Sequence, residues 1–370
     1  MGGVVHACLM RGVEDRQQVM WSQVSVEDLI PAGHPIRGIR VIVETVLDGL
    51  GPEFDAMYAS TGRPSVPPEQ LLKATVLMAL YSIRSERQIC ERMNYDLLFK
   101  WFLDLPVEAR GFDPSTFSKN RDRLLAAEIA DRFFAAVVDQ AKLRRYVSSD
   151  HFSVDGTLLE AWASHKSFKP NDGPPADPPV GRNSEVDFHG QKRSNTTHTS
   201  TTDPEARLAR KSNATAAKMS FMGHLLMENR NAFIVDAELS EASGFAERDV
   251  AAEMLARLPK RRRRRTVAAD KAYDTKDFVA KTRGLGFTPH VAQNVNGRRS
   301  AIDGRTTRHA GHVVSQRIRK RVEEPFGWIK TVGGGRKLRY VGRKRNRAWF
   351  LITSAVYNII RIAALDNTTA

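Results

Sequence analysis

Apolar residues recur at helical spacing through the first 145 positions of the chain, and short apolar runs separated by turns take over afterwards. Residues 1–60 show no sustained period and predict a lead-in with a few short helices at most. From Pro67 the stretch PPEQLLKATVLMALYSI sets proline at a first turn and Leu72, Val76, Ala79 and Leu80 on one face. SERQICERM follows, with Ser85 and Gln88 as a capping box and Ile89 and Met93 as its buried face. DLLFKWFLDL supplies an aromatic-rich third segment. DPSTFSKNRDRLL opens a fourth helix with Asp113 as cap and Pro114 just inside, and AAEIADRFFAAVVDQAKL closes the region. Residues 61–147 thus form an all-α unit, either a helix-turn-helix-type DNA-binding domain or a plain helical bundle. Arg121 and Arg123 are expected to be exposed on either reading, and to meet DNA on the first.

The period changes at residue 148. SSDHFSVDGTLLEAWA carries a β-like run over residues 152–154, followed by Asp155 and Gly156. A long irregular stretch, about 164–217, has five prolines between positions 170 and 179 and little apolar mass, which predicts a loop or partial disorder. KMSFMGHLLME and NAFIVDAELSEASG read as two strands joined by a turn at residues 229–231. A helix (ERDVAAEMLARL), a strand over residues 266–269 ending at Asp270, a glycine-ended helix (TKDFVAKTRGLG) and a strand (FTPHVAQN) come next. A basic loop then leads into the helix RIRKRVEEPFGWIK. The order strand, strand, strand, helix, strand, helix, strand, helix fits a mixed sheet flanked by helices on a ribonuclease-H-like plan. That α/β domain spans residues 148–335. Residues 336–370 are a basic tail with a packing helix whose Trp349, Phe350, Ile352, Val356 and Ile359 belong to the core.

The formal net charge is +15, and it is concentrated. Residues 260–347 hold 26 Lys and Arg against 6 Asp and Glu, and the rest of the chain is net acidic. A polyanion is the simplest partner, with nucleic acid ahead of an anionic membrane. Two distant cysteines, Cys8 and Cys90, leave no disulfide framework and no zinc spacing, as expected in a reducing compartment. The apolar stretch AWFLITSAVYNIIRIAAL carries polar and charged residues and reads as falling short of a good membrane span. A soluble cytoplasmic protein without membrane contact is expected. The histidines show no ligand spacing, and there is no GxxxxGK loop or GxSxG elbow, so no small-molecule substrate is indicated.

Two aspartates stand out, because Asp155 and Asp270 each follow an apolar strand, where open α/β sheets present ligands. Two such carboxylates and a later glutamate on a helix define a candidate site for divalent ions. Two ions about 3.5–4 Å apart activate the attacking oxygen of a phosphodiester reaction and stabilise the leaving one. Arg261, Arg262 and Arg263, within the run KRRRRR, either clamp phosphates near Asp270 or form a solvated loop. GGG at 333–335 is a phosphate nest or, more simply, a helix stop. Trp328 and Asp203 are rival candidates with plainer readings, as packing and as a turn.

Together SVDGT, AADKAYD and RKRVEEPFGWIK, with the helical segment ERQICERMNYDLLFKWFLDL and DPSTFSKNRDRL and the loop THTSTTDPEARLARK, resemble the bacterial insertion-sequence transposases of the DDE class, in the insertion-sequence-five family. The resemblance spans residues 20–365. It implies a ribonuclease-H-like core with an Asp, Asp, Glu triad at Asp155, Asp270 and Glu323. Two Mg²⁺ ions would be bound, with Mn²⁺ able to substitute. It also implies cleavage at terminal inverted repeats and transfer of the 3′-OH strands into target DNA, by a homodimer on DNA. The related signature of Tyr, Arg, Glu and Lys fits Arg319, Glu323 and Lys330, and has Gln316 in place of Tyr. A nuclease of the same fold without strand transfer, and an inactive DNA-binding regulator, are the alternatives.

A helical wheel at about 100° per residue chooses between the adjacent glutamates. Ile318, Val322, Phe326 and Ile329 share a core face, and Glu323 adjoins it in the sector of Arg319 and Lys330. Glu324 falls among Arg317, Lys320 and Arg321, at the spacing of surface ion pairs. Pro325 disturbs this phase. Glu323→Gln is therefore expected to abolish Mg²⁺-dependent strand cleavage and Glu324→Gln to keep most of it; cleavage assays showing the reverse pattern overturn the assignment.

Overall fold

The computed structural model describes residues 25–57, 65–126, 128–171, 193–212 and 214–369. The expectations for residues 1–24, including Cys8, and for residues 172–192 lie outside the described residues. The amino-terminal part is helical: α1 (Val26–Leu29), α2 (Ile36–Asp48), α3 (Gly51–Asp55), α4 (Pro68–Leu80), α5 (Glu86–Arg92), α6 (Leu97–Phe102), α7 (Pro114–Ala126) and α8 (Ile129–Leu143). The caps follow the sequence, since Ser85 accepts from the Gln88 N–H and Asp113 from the Ser115 N–H. Helix α2 corrects the expectation of short helices only. It buries Ile36, Ile39, Ile42, Val43, Val46 and Leu47 on one stripe.

Eight strands follow among the described residues: β1 (His151–Glu160), β2 (Phe168–Pro170), β3 (His198–Ser200), β4 (Arg207–Ala209), β5 (Lys218–Glu228), β6 (Ile234–Glu241), β7 (Arg265–Ala269) and β8 (Phe287–Val291). The main sheet runs β6-β5-β1-β7-β8, with β4 beside the start of β5. Strands β5 and β6 are antiparallel to β1 and to each other; β7 and β8 are parallel to β1. This is the ribonuclease-H-like mixed sheet, with α9 (Ala246–Arg257) and α10 (Lys276–Gly284) on one face. The polar stretch after residue 193 is not structureless: β3 pairs β2 and β4 pairs β5. Hydroxyls support it, as between buried Ser167 and Ser200 at 2.8 Å.

On the other face lie α11 (Gly304–Thr307), α12 (Ala310–Ile318), a 3-10 turn (Arg319–Val322), α13 (Glu323–Lys330) and α14 (Arg343–Thr369). Helix α14 joins the two halves. Its Trp349, Phe350, Ile352, Val356 and Ile359 are buried in one continuous core with Leu72, Val76 and Phe133 of the helical part and Phe221, Leu225 and Leu239 of the sheet. By length and composition Arg343–Thr368 could cross a membrane, against expectation, yet 72% of its apolar window is buried inside the fold. Polar contacts reinforce the joint. Arg347 on α14 donates to Asp131 of α8 at 2.7 and 3.0 Å and to Glu238 of β6 at 2.5 Å. Asn358 pairs both backbone groups of Ile234.

Gly223 on β5 lets α14 approach: a Cβ there would stand 2.9 Å from Phe350 Cζ and 3.1 Å from Leu159 Cδ1. Gly223→Ala is expected to cost about 1–3 kcal/mol through overpacking, read as a lower denaturant midpoint. Gly244→Ala, where a Cβ meets open space, should leave it unchanged. Equal midpoints for the two variants contradict this packing.

Candidate functional site

Strand β1 pairs β7 only over His151–Thr266, Phe152–Val267 and Ser153–Ala268. Continued two residues, that register sets Asp155 opposite Asp270. Side chains alternate along a strand. Phe152, Val154, Val267 and Ala269 point to the α9–α10 face, so Ser153, Asp155 and Thr157 of β1 share the opposite face with Ala268 and Asp270. The expectation that Asp155 ends its strand is corrected. The strand runs on through Asp-Gly to Glu160, because β5 pairs it throughout. The rim arises from β7, which stops at Ala269. Asp270 then caps the next 3-10 turn, accepting from the Ala272 N–H at 2.7 Å.

The third carboxylate arrives on α13. The expected single helix is broken by the 3-10 turn at Arg319–Val322, and α13 begins at Glu323. This accounts for Pro325, which stands in the first turn of α13, where its missing N–H would have no helical partner. Val322, Phe326 and Ile329 are buried as the wheel required. The two glutamates differ in their company. Glu324 accepts from Tyr357 at 3.2 Å and Arg361 at 3.3 Å on α14, and not from Arg317, Lys320 or Arg321. Glu323 is exposed and, among the described residues, its carboxylate makes no hydrogen bond or ion pair.

Asp155 registers both other acids. Its carboxyl is pushed up to about 6, first by burial and then by the charges of Asp270 and Glu323, against the Gly156 N–H and Arg319. Lys330 hydrogen-bonds the Thr157 hydroxyl, one step along the same strand face. Burial and the nearby Lys211 and Arg336 lower its pKa, while Asp155 opposes them. Arg319 is held by Gln316 at 2.9 Å, and Gln316 in turn donates to the His290 carbonyl of β8. The residue in the Tyr position therefore orients Arg319 and anchors α12 to the sheet.

Other expected contacts fall elsewhere. Arg261, Arg262 and Arg263 are exposed on the loop before β7, but Arg265, the end of the same run, is buried on Phe287 at 4.1 Å. Arg123 is exposed; Arg121, expected to be, is partly buried, paired with Glu86 and stacked on Tyr340. The glycines at 333–335 close α13: Gly333 and Gly335 donate to the Trp328 and Ile329 carbonyls, and Gly334 takes φ +65°. Trp328 packs against Tyr357. Asp203 is buried in a turn and accepts from the Gly342 N–H.

One carboxylate escaped sequence reasoning. Glu247, in the first turn of α9, fills the space over Gly156; a Cβ there would meet its Cγ at 2.9 Å. Its carboxyl is pushed up to about 7 by burial and by Asp155 and Asp270. The readable signal was the glycine directly after Asp155. Among the described residues no three His, Cys, Asp or Glu side chains converge into a ready-made ion cage. The donor chemistry nevertheless fits Mg²⁺, a hard cation that takes one or two carboxylates and keeps several waters.

A ribonuclease-H-like sheet with an acidic row on one face and cations beside it is thus the frame. Residues 150–359 match the family described as transposase DDE domain, and residues 24–123 match transposase domain (DUF772). The first match alone covers more than half of the chain, which belongs to the insertion-sequence DDE transposases. No curated protein matches it. Among solved structures it is similar to a piggyBac transposase synaptic complex with hairpin DNA, with 12% identity, 91% of this chain and 76% of that one covered, and a TM-score of 0.41. A pre-cleavage Mos1 transpososome matches with 11% identity, 84% and 82% covered, and a TM-score of 0.21.

The sign of the Asp155 shift makes a solution property testable. A carboxyl raised from 3.8 to about 6 in the fold contributes stability that is present below about pH 4 and lost as pH rises through about 6. In chelator-containing buffer, thermal stability of the wild type should fall across that window relative to Asp155→Asn. Parallel pH profiles for the two proteins contradict the buried, like-charged setting of Asp155.

Proposed function

We propose that this transposase cleaves the ends of its insertion sequence and joins the 3′-OH strands to target DNA, with Asp155, Asp270 and Glu323 as ligands of two Mg²⁺ ions. The observation that carries the reading is the shared face: the β1–β7 register and the start of α13 bring three carboxylates, 115 and 53 residues apart in sequence, to one electrostatic neighbourhood. When bound, the ions supply activation of the attacking oxygen and stabilisation of the leaving one. The chain supplies the rest. Lys330, braced by Thr157, and Arg319, braced by Gln316, stand beside the acids as cations for DNA phosphates. Arg261, Arg262 and Arg263 add exposed charge before β7, at the end of that strand away from Asp270. Glu324 serves the fold through Arg361 and Tyr357, leaving Glu323 as the unengaged member of the pair.

The partners on this reading are the terminal inverted repeats and target DNA, engaged by a homodimer in the cytoplasm, and Mn²⁺ replaces Mg²⁺. The order and spacing of SVDGT, AADKAYD and RKRVEEPFGWIK support a place in the insertion-sequence-five group. Incubation with pre-cut element ends, target DNA and Mg²⁺ should give joined strands. Asp155→Asn and Asp270→Asn should abolish joining while DNA binding persists. Wild-type nicking without joining would mark a nuclease of the same fold, and metal-independent binding without cleavage would mark a regulator.

A further inference from the structure

The face of the sheet that bears the acids also carries a large basic groove at the other end of its strands, and between the two the row is buried at Ser153 and Ala268. The groove encloses about 1020 Å³ between the beginnings of β1, β7 and β8 and the helices α11 and α12. Its floor is His151, Thr266 and Thr288, which belong to the same side-chain row as Asp155 and Asp270. Five arginines line it, Arg230, Arg263, Arg264, Arg283 and Arg305, against one acid, Asp303. Asp303 is already paired with Arg283 at 3.2 Å. Among the described residues the guanidinium groups of Arg230, Arg263, Arg264 and Arg305 have no carboxylate partner, although that of Arg230 donates to the Arg145 carbonyl, and all four residues are exposed. Four unneutralised guanidinium groups around one concave surface repel each other. A concave surface with that charge attracts a polyanion.

Resting on the transposase reading, we propose that this groove holds the sugar–phosphate backbone of the DNA at a set distance from the acids. His151 precedes Asp155 by four residues of strand, and Thr266 precedes Asp270 by four. At about 3.3 Å per residue that is roughly 13 Å, about four base-pair steps at 3.4 Å per step along one strand. The groove therefore takes the backbone about four steps from the reacting phosphate. Arginines and hydroxyls contact phosphates and set register, with little reading of sequence. The DNA on that side is either the element end or the flanking and target duplex, which share this backbone chemistry.

The test is a cycle between protein charge and DNA length. Binding of duplexes to the full chain is measured by fluorescence anisotropy against salt, with Arg263→Ala, Arg264→Ala and Arg305→Ala singly and together. Each lost phosphate contact should lower the log–log salt slope by about 0.9, so by up to about 3 for the triple variant, whatever the DNA sequence. Two truncation series, one shortened on the element side and one on the flanking side, are compared. On one side, cutting the duplex to fewer than about four steps from the scissile phosphate should abolish the difference between wild type and triple variant, which names the DNA held. Lys344→Ala, which removes an exposed cation of α14 outside the groove, should change binding to the same extent on every duplex. Unchanged slopes in the triple variant, or losses additive with truncation on both sides, overturn the groove. Wild type that cleaves no element end would instead remove the reading beneath it.

Discussion

The parallel pairing of β1 with β7 is the constraint from which the site follows. It lasts only three residues, and its early end is what matters. A longer β7 would cover Asp155 with a neighbour and leave no rim. A register shifted by one residue would turn one aspartate to the opposite face, since side chains alternate with period two. Pairing with β5 along the whole of β1 holds the strand straight through Asp155 and Gly156, although an Asp-Gly pair is a turn signal elsewhere. Gly156 is required there by Glu247, which occupies the volume a side chain would need.

The third acid depends on a second constraint, the burial of α13 and α14. Phe326 and Ile329 fix α13 against the common core, and Tyr357 and Arg361 hold Glu324 away from the acidic row. Helix α14 is also the joint with the amino-terminal helices. The helical part and the acid-bearing sheet therefore share a continuous packed interior, so strain introduced in one reaches the other. The Arg347 bridge between Asp131 and Glu238 serves the same joint by charge.

Much of this was legible from periodicity. The strand and helix order of the α/β part, the core face of α14 and the phase of Val322, Phe326 and Ile329 all follow from apolar spacing. The failures have physical causes. Local turn chemistry at Asp155 and Gly156 predicts an early end to β1, and pairing with β5 overrides it. Helix α2 was lost in a region read as mixed, although its isoleucines recur at helical spacing. The 3-10 turn before Glu323 has no periodic signature, and Pro325 was its only trace. Arg121 looked like a surface cation because its partners, Glu86 and Tyr340, come from distant parts of the chain. Glu247 lay beyond reach for the same reason: its importance comes from a neighbour 91 residues earlier.

The proposed ligand set of Asp155, Asp270 and Glu323, without Glu324, is open to direct measurement. Calorimetric titration of Mn²⁺ into the full-length protein addresses this without requiring turnover. The account predicts that Asp155→Asn, Asp270→Asn and Glu323→Gln each weaken ion binding and that Glu324→Gln binds as the wild type does. Wild-type binding by Glu323→Gln, together with loss in Glu324→Gln, would contradict it.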